Sequence, residues 1–357
     1  MRVIALVNQK GGCGKTTTAV NLAAALTRIG QRVLLVDNDP QGHASLALGL
    51  TERDFTLSTF DLYLTTDILV EDARVEIGPR LHLVPAGVEL TAVEPKLAGV
   101  DGHEKRLRDN FLRSELPYDV ILIDCPPAVG LLTLNALLAS GEALVPLDAS
   151  AFSRQAVAKL YETLAVVRDR RGHEVVPRLL LANYDLRSRF ARDLRQELGA
   201  AYDGALLETI VHPTIRLREA AAAGRSILDH DPGSRAARDY QDLAREIAGQ
   251  AVDLSVSALD HWTALLHGPE ATPEGVHFVV DLPRARDVRL TGSFCGWSRE
   301  GLPLRRRQDG RWECVVEIGP GAHEYRYIVD GTWLPDPHNA NNVTNEFGGA
   351  NSLVTVA

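Results

Sequence analysis

Lysine is scarce in this chain. It occurs at five of 357 positions (10, 15, 96, 105 and 159), while the other 33 of the 38 basic residues are arginine. Cysteine is equally sparse: Cys13, Cys125, Cys295 and Cys314 are far apart and lack metal-ligand spacing, which argues against a disulfide framework or a zinc ribbon. Reduced thiols in a cytoplasmic protein are the expectation, and Cys295 and Cys314 share the second half of the chain. No apolar run approaches the ~20 residues that span a bilayer, so no membrane association is expected. An apolar strand begins almost at residue 1, leaving no room for a signal peptide. The net charge of −9 argues against a global attraction to nucleic acid, although a local basic patch could survive it. The eleven histidines are scattered, and neither a Ser/His/Asp arrangement nor an internal repeat is present.

What is present is 45% hydrophobic and 24% charged, enough apolar material for real cores and room for two domains. Through residue 250, apolar strands alternate with helical segments. Strands are predicted at 3–7, 31–37, 80–86, 118–124, 143–147 and 178–183. Alternation of this kind predicts a mostly parallel, doubly wound α/β sheet covered on both faces. The first strand runs into Lys10-Gly11-Gly12-Cys13-Gly14-Lys15-Thr16-Thr17 and then into a helix-forming stretch. Strand, glycine turn and helix N-terminus together make an anion cradle: the glycines let backbone N–H groups point inward, and the helix dipole adds partial positive charge. Lys15 is placed to reach β- and γ-phosphates, and the Thr16 hydroxyl to meet Mg²⁺. The common pattern needs glycine at position 9, where this chain has Gln9, and it carries Lys10 in addition. With lysine so rare, its presence at both loop positions marks both as functional.

The order K-G-G-x-G-K-T-T resembles the deviant Walker A loop of the ParA/MinD family of ATPases, with the short, Soj-like ParA proteins the nearer likeness. The resemblance implies a P-loop NTPase with ATP and Mg²⁺ as cofactors and a homodimer in the ATP state. In that dimer Lys10 crosses to the partner's nucleotide and hydrolysis is slow and partner-stimulated. It also implies an activating ParB-like protein. Asp37-Asn38-Asp39-Pro40-Gln41-Gly42 resembles the family's strand-end D-x-D-P-Q-G: Asp39 would orient the attacking water, and Asp37 would support Mg²⁺ and the switch. Asp124, ending an apolar strand before Cys125-Pro126-Pro127, resembles Walker B and would hold the Mg²⁺ shell, partly through water or Thr16. Asn183 ends a strand where relatives place an adenine-reading amide; a turn-stabilising asparagine is the alternative. Residues 215–220 and 231–236 echo two late motifs whose arginines help bind DNA non-specifically. Arg187, Arg189, Arg216 and Arg235 are the candidates here, but Pro213 stands where an arginine is common, and residues 178–246 hold 11 Arg against 11 Asp+Glu. The helix-turn-helix arm of larger plasmid ParA proteins is not expected.

Near residue 251 the texture changes. Residues 253–274 read as a linker with a short apolar helix at 258–266, in which Trp262 would cover the join, followed by a Gly/Pro-rich stretch. From 275 to 357 alternating strands with Gly, Pro, Asp and Asn turns predict a small all-β, immunoglobulin-like sandwich. Leu290–Ser298, Gly321–Trp333 and Phe347–Ser352 resemble the glycogen-binding domain of AMP-activated kinase β-subunits, in carbohydrate-binding module family 48. Glucose rings stack their C–H faces on flat aromatics while their hydroxyls need planar polar partners. The resemblance makes Trp297 and Trp333 the platforms, and Arg326 and Asn351 the hydroxyl partners. Trp312, mid-strand, reads as packing. Together the two resemblances imply a dimerising ATPase switch joined to an α-glucan-binding module, positioning or partitioning a polysaccharide-associated cargo. The alternatives are a chromosome or plasmid partition ATPase, or a scaffold whose sandwich binds protein.

Overall fold

The structure is a computed structural model. It describes residues 1–249 apart from 129, 151, 152, 172 and 203, and residues 269–356 apart from 273, 274, 281, 283, 284, 308–310, 337, 338, 340 and 346–348. The chain divides into two compact units, Met1–Asp253 and Leu254–Ala357. The linker helix predicted at 258–266, and Trp262 with it, lie outside the described residues.

The first unit is built on strands β1 (Arg2–Leu6), β2 (Val33–Asp37), β3 (Val75–Gly78), β4 (Leu81–Val84), β5 (Val120–Asp124), β6 (Glu142–Leu147), β7 (Val176–Ala182) and β8 (Leu206–Val211). They form one sheet in the order β3-β4-β2-β5-β1-β6-β7-β8, parallel except for the β3–β4 pair. β2, β5 and β6 are buried at every residue, which a strand reaches only when helices cover both faces. The 14-residue helix Lys15–Arg28 packs Ala19, Leu22, Ala23 and Leu26 into the main core, against the Ala237, Tyr240 and Leu243 face of helix Arg235–Gly249. β3 and β8 add edge strands that the sequence did not predict.

The second unit holds two antiparallel sheets. One, in the order β13-β14-β10-β9, comprises β9 (Glu270–Thr272), β10 (Gly275–Val280), β13 (Arg305–Arg306) and β14 (Trp312–Val316). The other runs β12-β11-β15-β18-β17, from β11 (Val288–Gly292), β12 (Leu302–Pro303), β15 (Gly321–Val329), β17 (Asn342–Thr344) and β18 (Ala350–Val356), with β16 (Thr332–Leu334) paired to β15. Alternation of side chains sends Phe278, Leu290, Tyr325 and Tyr327 into the core, where Phe278 meets Tyr325 edge-on at 5.1 Å between ring centroids. Trp312 is a core residue, its indole N–H donating to Leu282 O (3.2 Å). Part of the predicted linker needs correction: Glu270–Thr272 is a strand that pairs with β10. Its flanking prolines give it a linker's composition, while its pairing is a tertiary matter.

Candidate functional site

The P-loop follows β1, which lies between β5 and β6 at the middle of the sheet. In-register pairing sets Asp124, the last residue of β5, beside Leu6 on one side and Asp37 on the other. The candidate residues therefore gather at the C-terminal edge of the parallel strands, where ligands bind in open α/β sheets. Gly12 (φ 76°) and Gly14 (φ 97°) adopt the left-handed conformation that glycine tolerates, and a Cβ at Gly11 or Gly12 would meet no atom within 4 Å. The first turn of helix Lys15–Arg28 carries no acidic residue, so its N-terminal dipole is uncompensated within that turn. Cys13 is buried, its thiol bonded to Lys10 O (3.2 Å), and burial pushes its pKa up.

Both loop lysines are held. Lys15 is 7% exposed, and its ammonium donates to Asn8 O (2.9 Å) and Lys10 O (3.3 Å). Asn8 fixes the loop to the neighbouring strand: its Nδ2 donates to Pro146 O (2.7 Å), and its Oδ1 accepts from Lys10 N (2.9 Å). The Lys10 ammonium forms an ion pair with Asp148, just past β6, and donates to Ser150 Oγ (3.0 Å). Burial pushes the Asp148 carboxyl up, but bonds from Lys10, Ser150 and Ser153 outweigh it and hold the group below the usual carboxylate range. Asn8, Asp148 and Ser150 were not singled out from the sequence. Asp148 follows the end of a parallel strand as Asp39 does, and that position was the available signal.

The three switch-region carboxylates differ. Asp37 is fully buried, with Oδ2 accepting from Ser45 N (2.8 Å) and Ser45 Oγ (2.7 Å) and Oδ1 from Asp39 N (3.3 Å). Burial pushes its pKa up to about 6 against the pull of those bonds. Its immediate work is to fasten the turn and helix His43–Ala47 to β2. Asp39 accepts from Gln41 N (2.9 Å). Asp124 is fully buried, and neither of its carboxylate oxygens has a hydrogen-bond partner among the described residues. Burial first, and the Asp37 charge second, raise its pKa well above the ordinary value. The Thr16 hydroxyl lies close enough to oppose this without making a bond of ordinary geometry. A buried, unpartnered carboxylate facing a hydroxyl and an open anion cradle is the donor set a hydrated Mg²⁺ with phosphates requires, so these residues fit that group.

Asn183 is exposed and left-handed (φ 53°), the geometry of the turn-forming alternative. The four candidate arginines are each engaged. Arg187 grips Asp185 (2.6 Å), Arg189 lies 3.6 Å from Asp193, and Arg216 pairs with Glu219 (2.9 Å) and Asp231 (3.7 Å). Arg235 bonds His212 (2.5 Å), whose other ring nitrogen meets Asp239 (3.0 Å). Three of the four therefore carry a carboxylate partner, and Arg235 has a histidine. Gly224 (φ +65°) meets Gly49 (φ +83°) backbone to backbone, tying the end of the switch segment to the end of the Arg216 helix.

On the second unit, Trp297 and Trp333 stack with centroids 6.3 Å apart and planes 23° from parallel, both half-buried. Trp297 is left-handed (φ 57°) after the turn Ser293–Cys295, and its N–H donates to Gly292 O (3.0 Å). Arg326 Nη2 donates to Trp333 O (2.9 Å), while its buried Nε has no partner among the described residues. Asn351 is tied into the unit. It is 6% exposed, its Nδ2 donates to Glu324 Oε2 (2.8 Å) and its Oδ1 accepts from Asn345 (3.0 Å). It therefore orients Glu324, one alternation from Arg326 on β15. The groove of about 600 Å³ on the other sheet, by His277, Arg305 and Glu313, is lined by mutually satisfied charges and carries no comparable constellation.

A parallel sheet with a lysine- and glycine-rich loop opening a helix, and an acidic strand end beside it, defines a P-loop nucleoside-triphosphatase. Residues 1–176 match a family model described as an AAA domain, and residues 282–357 match the glycogen recognition site of AMP-activated protein kinase. The sporulation initiation inhibitor protein Soj of Bacillus subtilis (strain 168) is 35% identical over 248 residues, covering 69% of this chain and 98% of Soj. The chromosome partitioning protein ParA of Myxococcus xanthus (strain DK1622) is 36% identical over 247 residues, covering 69% and 87%. The chain belongs to the Soj/ParA family. Among solved structures, cobyrinic acid a,c-diamide synthase of Mycobacterium smegmatis with ADP and magnesium is similar at TM-score 0.60 and 30% identity, covering 70% of this chain and 94% of that one. McdA of Cyanothece in complex with ATP has a TM-score of 0.63 at 19% identity, covering 71% and 99%, a likeness of fold alone.

Proposed function

We propose that the chain is an ATP-dependent dimerising switch whose C-terminal unit binds an α-glucan such as glycogen, and that it positions or partitions a polysaccharide-associated cargo in the cytoplasm. The observation that carries this reading is the joining, in one chain, of a P-loop with two lysines and a buried Asp124 without a hydrogen-bond partner among the described residues to a sandwich bearing a stacked tryptophan pair. The division of labour follows: residues 1–252 form the ATPase, 253–274 connect, and 275–357 bind sugar. In the ATPase, backbone N–H groups of Gly11–Thr17 cradle phosphates and Lys15 pairs with them. Thr16 and Asp124 face Mg²⁺, Asp37 holds the switch turn, Asp39 orients the attacking water and Asn183 reads adenine. Mg²⁺, when bound, neutralises charge on the phosphates. Lys10 completes the site of a second copy, so turnover follows pairing and is slow without an activating partner of the ParB kind. Catalysis of this type rests on positioning and electrostatics, with no covalent chemistry for the protein to perform.

The test is glycogen co-sedimentation with the full chain. Trp297→Ala with Trp333→Ala abolishes co-sedimentation and leaves ATP turnover unchanged; undiminished co-sedimentation rejects the sugar-binding reading. A second reading, a DNA-based partition ATPase, is favoured by the names of the curated relatives. Strong, salt-dependent DNA binding in ATP with no glycogen binding selects it. The carboxylates on all but one of the candidate arginines, and the His212–Asp239 pair behind Arg235, weigh against it.

A further inference from the structure

Lys10 is the residue on which pairing of two copies turns, and in this chain its ammonium is occupied. Its partners, Asp148 and Ser150, lie on the connection that follows β6. Asp148 is braced for the purpose: Ser150 Oγ donates to Oδ1 (2.9 Å), and Ser153 Oγ donates both to Oδ1 (3.1 Å) and to Asp148 O (2.7 Å). Two hydroxyls therefore hold the carboxylate in place whether or not Lys10 is on it. The Lys10 backbone is fixed separately through Asn8, so only the side chain is free to change partners.

We propose that Asp148, with Ser150, is a positioning residue for Lys10: it holds the ammonium within its own protomer and sets the ATP concentration at which two copies pair. The inference rests on the reading of Lys10 as a group that acts on the partner's nucleotide. A lysine that must cross to a second protomer first leaves Asp148, so the local ion pair competes with pairing, and Asp148 acts as a threshold against dimerising at low ATP. The pair is partly exposed, with Lys10 at 32% and Asp148 at 21%. An ion pair of that exposure shifts an equilibrium by about threefold. Two lysines leave their partners for every dimer formed, so removing the carboxylate raises the dimerisation constant by about tenfold.

The experiment compares full-length wild type, Asp148→Asn, Asp148→Glu and Ser150→Ala. Dimer mass is followed by light scattering against ATP at fixed Mg²⁺, in low and in high salt, and nucleotide affinity is measured separately with a fluorescent ATP analogue. Asp148→Asn pairs at severalfold lower ATP than wild type, with analogue affinity unchanged, and the gap narrows in high salt because it comes from an ion pair. Asp148→Glu restores the wild-type threshold, and Ser150→Ala, which removes the 3.0 Å bond to Lys10, shifts it the same way by less. An Asp148→Asn chain that pairs at the same or higher ATP overturns the proposal. If Asp148→Asn does not fold, an unshifted or raised threshold in Ser150→Ala does so. A wild-type chain that stays monomeric at saturating ATP defeats the switch reading itself, a separate outcome.

Discussion

Asp124→Asn should stabilise this protein in the absence of nucleotide and Mg²⁺, although most substitutions at fully buried positions do the reverse. Asp124 is fully buried, both its carboxylate oxygens lack partners among the described residues, and its strand neighbour is Asp37. Two like charges on adjacent strands, about 6 Å apart at an effective dielectric constant of ~20, repel by about 3 kcal/mol. An asparagine of equal volume removes that repulsion and can direct its amide at the carboxylates of Asp37 and Asp39. Allowing for imperfect geometry, about 2 kcal/mol of net gain is expected, or a rise in Tm of roughly 4–8 °C for a domain of this size. The pH dependence supplies an internal control. The folded-state pKa of Asp124 is raised, by burial first and the Asp37 charge second. The group is therefore protonated and harmless in acid, and its destabilising charge develops as pH rises. The two melting curves should coincide below the ordinary carboxylate range and separate toward neutral and alkaline pH. Adding Mg²⁺ with ATP should then stabilise the wild type far more than the variant. A variant that melts lower than wild type at neutral pH without Mg²⁺, or that keeps the full Mg²⁺-dependent stabilisation, would refute the assignment of Asp124 as an uncompensated carboxylate waiting for a cation.

Two further outcomes bear on the fold. Gly224→Ala should cost at least about 2 kcal/mol, because the new Cβ lies 2.8 Å from Gly49 Cα at φ +65°, whereas Gly233→Ala, with nothing within 4 Å, should stay within about 0.5 kcal/mol in the same urea titration. Cys314, pushed up to about 12 by burial, should alkylate about a thousandfold more slowly than an ordinary thiol at pH 8, with Cys125 also protected; rapid labelling of either in the native protein would show that its surroundings are not packed as described.

The parts of this molecule legible in its sequence are those in which local chemistry and tertiary role coincide. Lys10 to Thr17 announces itself because phosphate binding by backbone needs glycines, a helix start and lysine in adjacent positions. The central strands announce themselves because a strand covered on both faces has nothing but apolar residues to show. β8 was missed because Leu206–Val211 mixes exposed Glu208 with buried Leu207 and Ile210, and β3 because only part of its length is shielded. Partners were missed where the contact joins distant positions: Asp148 meets Lys10 138 residues away, and Glu324 meets Asn351 across 27. Nothing in the residue type or motif of Asn351 shows that Glu324 and Asn345 are its neighbours.

Strand β9 changes where the C-terminal unit of the chain can be cut. The family likeness starts at 282, yet β10, with Phe278 wholly enclosed, lies earlier, between β14 and β9 in its sheet. Excision at 282 forfeits that ring, worth about 3–5 kcal/mol in a core, and leaves β14 with a bare flank. Excision at 275 keeps the ring but strips the border strand Glu270–Thr272, inviting β10 to recruit a strand from another molecule. A soluble, separately expressed C-terminal unit should therefore begin at or before residue 269 and carry along what composition alone would discard as spacer.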